Sequence, residues 1–214
     1  MTSIPPVVLK ASVKHSATMI FLHGLGDTGF GWAGALNTIR PKYMKIVCPT
    51  ANSIPVTCNG GMSMPAWYDI LDINAIGGIR EHLESLEASS ANLDLLIEQE
   101  EYEDRTLGGA IALSAYLAGG DVPSLNGPKL TTPLLQVHGE IDEIVPYSRG
   151  VEASNILKEL FSQFRLHSRL CSSNRDDIYI VCCVITVSTT QINYLPDAEL
   201  FLITSEIEKF DGIG

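Results

Sequence analysis

The run Met19-Ile20-Phe21-Leu22, followed at once by His23-Gly24-Leu25-Gly26-Asp27, constrains this chain more than any other stretch. Four apolar residues without a polar break read as a fully buried strand, and His-Gly-x-Gly after them reads as a sharp turn out of the sheet. Such a loop lies at a strand's carboxyl end, the edge where open α/β sheets bind ligands. Its glycines let backbone N–H groups approach a reacting oxygen with no Cβ in the way. A His-Gly pair closing a strand also serves plain turn chemistry. The neighbouring segments decide between the two.

Taken in order, Ser3 to Val8 carries paired prolines and reads as an extended lead-in. Trp32, Leu36 and Ile39 fall at helical spacing between Gly29 and Arg40, and Pro41 stops that helix. Lys45 to Cys48 is a short strand ended by Pro49, and Thr50 to Asp72 reads as a long loop punctuated by Pro55, Gly60, Gly61 and Pro65. Helical spacing returns over Ile79 to Leu86 and over Leu93 to Ile97, with Ser90 available as a cap. Gly109 to Ser114 and Pro133 to Val137 read as strands. The spacing of Ala153, Ile156, Leu157, Leu160, Phe161 and Phe164 predicts a helix. Beyond it the β-branched run IYIVCCVITV predicts a strand, and Asp197 with Leu200, Ile203, Ile207 and Phe210 a closing helix.

The segments FLHGLGDTGFGWA, CPTA, PVTCNGGMSMPAWYDI and LLQVHGEIDEIVPYSRG together resemble the acyl-protein thioesterase family of carboxylesterases and lysophospholipases, over about Ala17 to Phe164. The resemblance implies an α/β-hydrolase fold, a three-layer sandwich around a mostly parallel sheet, with a Ser-His-Asp triad and no cofactor or metal. The substrates it implies are long-chain acyl thioesters or esters, in S-acylated proteins or lysophospholipids. In such folds the loop after the first buried strand supplies part of the oxyanion hole, which selects the backbone N–H of Leu25 between Gly24 and Gly26. Met64 and Trp67 fall in the loop that walls the acyl site, where an adaptable thioether and a large flat ring suit a hydrocarbon chain. Trp67 has a plain reading as a core aromatic. Asp142, alone a loop Asp bonding its own backbone, matches the triad acid through HGxxDxxVP.

Two parts of the family pattern are damaged. Where a strand, a Gly-x-Ser-x-Gly elbow and a helix are expected, Glu100-Glu101 runs directly into Tyr102. The elbow needs small residues two positions either side of its Ser to permit the strained turn. No Ser satisfies this: Ser63 and Ser148 have prolines at one of those positions, and Ser114 in IALSAYL reads as lying inside a strand. The second damaged part is the base. The family expects Gly-x-x-His-Ser-Ser, and this chain has RLHSRLCSSN. Aligning His-Ser selects His167 as base, whereas aligning Ser-Ser-Asn puts Cys171 there, and a thiol cannot shuttle a proton as an imidazole does.

A 214-residue chain with 45% hydrophobic content suits one domain over residues 1–214, family-like over 17–164 with a break near 100–102 and a divergent tail over 175–214. A net charge of −11 argues against nucleic acid and against electrostatic binding to anionic membranes. Five cysteines without framework spacing fit a reducing cytosol, and no run is apolar enough for a transmembrane segment or signal peptide. Oligomeric state is not legible. Three readings follow, an active thioesterase, a non-catalytic relative that binds acyl chains or lipidated proteins, and an inactive form shortened by exon skipping or misassembly, and the missing strand and elbow favour the last. The family's lost strand would lie between the strand at Thr18 to Leu22 and that at Gly109 to Ser114, so the sequence predicts an incomplete sheet.

Overall fold

The computed structural model describes residues 4–73, 80–100, 106–118, 128–172 and 182–188. In chain order the elements are β1 (Val7–Leu9), β2 (Ala17–Phe21), α1 (Gly29–Ile39), β3 (Met44–Cys48), β4 (Ser53–Val56), β5 (Met62–Pro65), β6 (Ile70–Asp72) and β7 (Arg80–Glu81). They continue with α2 (Leu83–Glu100), β8 (Thr106–Leu113), β9 (Leu134–Ile141), α3 (Tyr147–Leu160), β10 (Phe164–Ser172) and β11 (Cys182–Ser188). The predicted closing helix from Asp197 lies outside the described residues.

Seven strands form one sheet in the order β1-β3-β2-β11-β8-β9-β10. Strands β2 and β3 pair in parallel, as do β8 with β9 and β9 with β10. β11 pairs antiparallel with both β2 and β8, so these two parallel blocks point the same way. The fold is an α/β-hydrolase sandwich. The expected gap is corrected: the slot between β2 and β8 is filled by β11, from the segment read as a divergent tail. Ile185 sits opposite Ile20 on one side and Ala110 on the other. A β-branched run supplies a strand, but its place and direction come from which backbone edges are left to pair.

The pleat assigns the helices to layers. Met19, Phe21 and Ile46 share one face with Ile111 and Leu135 and pack against Leu36 of α1. Ile20 and Val47 occupy the other face beneath Leu93, Leu96 and Ile97 of α2. α3 lies on that second face, where the Gly150 carbonyl accepts from Gln136 Nε2 at 2.9 Å. α1 starts where it does because the Thr28 side chain accepts the Gly31 N–H at 3.1 Å, and only glycine fits at position 29, where a Cβ would stand 2.3 Å from the Cys48 carbonyl oxygen.

Three element readings change. Residues 53–65 form a hairpin of β4 and β5, with Ser53 opposite Pro65 and Val56 opposite Met62. Its prolines hid it from a period-two reading, yet an edge ribbon tolerates them. α2 is one continuous helix with Ser90 in its interior, and the residues before Leu83 include the short strand β7. α3 begins at Tyr147 and ends at Leu160, because Phe161 turns extended to bridge Leu130 while Phe164 opens β10.

Candidate functional site

The glycine loop leaves β2 through a buried imidazole. His23 Nε2 accepts the Ala51 N–H at 3.0 Å, so the proton must sit on Nδ1, which donates to the Gly24 carbonyl at 2.7 Å. Both nitrogens are occupied by backbone, which makes His23 a clamp and not a base. Burial lowers its pKa from 6.5, opposed less strongly by the Gly24 bond and the Asp27 carboxylate. An NMR titration is expected to show the His23 ring still neutral below pH 6.5. The linkage follows from that direction: stability tied to the neutral ring is present above 6.5 and is lost as pH falls from there toward the lowered folded value. A His23 ring titrating above 6.5 would contradict the clamp.

Trp67 completes it. Its indole Nε1 donates to the His23 carbonyl at 2.8 Å, and the two rings lie 5.1 Å apart between centroids. Gly26 takes φ of 81°, and its N–H donates to the Pro65 carbonyl at 2.8 Å. The Asp27 N–H returns to the Gly24 carbonyl at 3.2 Å, which closes a turn with Leu25 in it. Among the described residues nothing accepts from the Leu25 N–H. Met64 lies against this turn, its sulfur 3.8 Å from where a Gly26 Cβ would be. The apolar run located the glycine loop, and the Pro and Gly punctuation with the family resemblance located the Trp67 segment; the indole-to-carbonyl bond joining them has no sequence signal beyond the residue types.

Asp142 follows β9, whose carboxyl end lies on the same sheet edge as that of β2. Its Oδ1 accepts the N–H groups of Ile144 and Val145, each at 2.9 Å. Its Oδ2 lies 3.9 Å from His138 Nε2, which donates to the Val145 carbonyl at 2.8 Å. His138 is buried with Nδ1 unpartnered, and a Cβ on Gly150 would sit 2.4 Å from that atom. This pair holds the turn. His167 does not reach it: the residue is exposed on the edge strand β10, opposite Val137, whereas Ser172 is the position opposite Ile141. Four strand residues at ~3.3 Å each put His167 roughly 13 Å short of the level of Ile141, the residue before Asp142. The structure therefore does not bring His167 beside Asp142. On β10 it is Ser172 that lies opposite Ile141, the residue before Asp142.

Ser114 needs a correction. It is not inside the strand but just past it, at φ of 44°, the one non-glycine with positive φ among the described residues. This strained turn superficially imitates an elbow. Two strand spacings, about 10 Å, separate it from β2 and the Leu25 loop, and the unpartnered His138 Nδ1 on the adjoining strand makes no bond to its hydroxyl.

A cavity of about 500 Å³ opens at the carboxyl edge on the α2 side, walled by Leu22, Trp67, Tyr68, Leu86, Leu93 and Tyr116 among others. The Tyr68 and Tyr116 hydroxyls lie 3.1 Å apart. Burial pushes the Tyr68 phenol up to about 12 and raises Tyr116 further, so both are neutral at ordinary pH. Ser89 of α2 donates to the Trp67 carbonyl and ties the helix to the wall. Trp67 thus lines the cavity, while Met64 belongs to the glycine turn.

Residues 5–106 match the phospholipase/carboxylesterase family. Acyl-protein thioesterase 1 of Neurospora crassa is 36% identical over 200 residues, covering 73% of this chain and 79% of the relative. Acyl-protein thioesterase 1 homolog 1 of Dictyostelium discoideum is 31% identical over 182 residues, covering 71% of this chain and 80% of the relative. The crystal structure of Zea mays acyl-protein thioesterase 2 superposes with a TM-score of 0.69 at 26% identity, over 81% of this chain and 92% of that one.

Proposed function

Because the chain belongs to the acyl-protein thioesterase family of phospholipase/carboxylesterase-type α/β-hydrolases yet has no elbow serine, we propose that it binds the acyl groups of S-acylated proteins or lysophospholipids without hydrolysing them. The observation that carries this is the 500 Å³ cavity at the sheet edge used for ligands, within the ~300–1,000 Å³ of small-molecule sites and walled mainly by apolar side chains. Cytosolic residence fits its odd, unspaced cysteines.

A specific observation favours origin as a shortened form. The match to the Neurospora crassa relative runs over 200 positions but uses 73% of a chain of 214, so the relative carries residues in that span which this chain lacks. Exon skipping at Glu100-Glu101-Tyr102 accounts for that, and sequencing the transcript across these codons tests it.

Acyl binding is tested by titrating the chain with a fluorescent, uncharged palmitoyl ester. Trp67→Ala removes a wall residue and also the donor to the His23 carbonyl, so affinity is expected to drop about tenfold or more. Equal affinities in wild type and variant would remove the cavity as the site. No binding by a folded wild-type chain would end the proposal.

A further inference from the structure

Resting on the reading that acyl groups occupy the cavity, we infer that it accepts them as uncharged esters or thioesters and discriminates against the free fatty-acid anion. The ground is the chemistry of the wall. Among the described residues that line it, none is Asp, Glu, Lys, Arg or His. A carboxylate drawn into it would lose its hydration and meet no cation, whereas an ester or thioester carbonyl carries no charge to strand.

The polar groups that are present point the same way. The Tyr68 and Tyr116 hydroxyls are bonded to each other, and Tyr116 is also bonded to Glu81 of β7, so the polar end of the cavity has a carboxylate behind it. An anion next to the phenols would face that negative charge. The N-terminal end of α2 gives little help, since Glu84 stands in its first turn. Trp67 and Ser89 already donate to the His23 and Trp67 carbonyls, and the other polar lining residues, Ser90, Asn92 and Gln99, are neutral and offer no cation. The net charge of −11 adds repulsion at longer range. The cavity thus admits the linked acyl group, and a released fatty acid has to take up a proton to stay.

Competition of myristate and methyl myristate, each against a fluorescent uncharged acyl ester, tests this on the full chain between pH 6 and 8. If only the protonated acid enters, the apparent affinity for myristate rises about tenfold for each pH unit lowered, because the acid fraction of a group with pKa near 4.3 changes by that factor. Methyl myristate stays level over the same range. At pH 7 the ester is expected to bind roughly 500-fold tighter than the acid, from the same protonation ratio. Glu81→Gln, which removes the charge behind Tyr116, should strengthen myristate at pH 8 several-fold and leave the ester unchanged. Myristate that binds within about threefold of the ester with no pH slope overturns this inference and leaves acyl binding standing. A Glu81→Gln change that moves both ligands equally also counts against it. Failure of both ligands to bind a cooperatively folded chain would instead remove the acyl-binding proposal on which it rests.

Discussion

Turnover of a palmitoyl thioester by this chain is expected to fall on the order of a million-fold below a relative with an intact Ser-His-Asp triad, the size of loss seen when a nucleophile serine alone is removed. Three observations converge on it. No serine has the flanking residues an elbow needs, and Ser114, the one on a strained turn, is two strands away from the Leu25 loop. Neither His23, bonded by backbone at both nitrogens, nor His138, buried in its turn, is placed to remove a proton from a serine. His167 is level with Val137 and not with Asp142. A backbone N–H such as that of Leu25, even aimed at a substrate carbonyl, gives no hydrolysis without an attacking group. The check is a thioester hydrolysis assay paired with fluorophosphonate labelling of the purified chain. Stoichiometric labelling at a serine, abolished when that serine is changed to alanine, would show that a nucleophile exists.

Loss of cooperative unfolding is the expected result of Ile185→Pro. Ile185 is paired on both sides, with Ile20 of β2 and Ala110 of β8, so a proline there strikes the only described strand that joins the β1-β3-β2 block to the β8-β9-β10 block. A proline removes a backbone donor and forces the neighbouring ladder apart, at a cost of about 3 kcal/mol or more. Total stability of a domain is ~5–15 kcal/mol, so a loss of that size is a large fraction of it. Thermal melting followed by circular dichroism should show a broad transition in the variant. Amide exchange should lose protection at Ile20 and Ala110 together. A variant that melts sharply near the wild-type midpoint would mean that β11 does not hold the sheet together.

Local chemistry was enough to find most of the parts. An unbroken apolar run identified β2, and the glycines after it identified a turn; the structure puts Gly26 at positive φ there, a conformation that costs a Cβ-bearing residue. Leu36 and Ile39, at helical spacing, identified α1, and an apolar run closed by His-Gly identified β9 with Asp142 just beyond it. These features depend on residues within a few positions of one another, which is why the sequence alone specifies them. The pairing of β4 with β5 escaped because prolines mask the alternation, although an edge ribbon has backbone donors to spare.

What tertiary structure decided was every question of partnership. The run at 182–188 is recognisably a strand, but nothing in its β-branched residues states that it inserts between β2 and β8 or that it runs against them. That outcome depends on the backbone edges of β2 and β8, and edges more than sixty residues away are outside the reach of any local pattern. His167 shows the same limit from the other side. Its residue type and neighbours qualify it as a base, yet the register of β10 on β9 fixes it opposite Val137, because a strand once paired advances at one spacing and cannot carry a side chain to the far end of its neighbour.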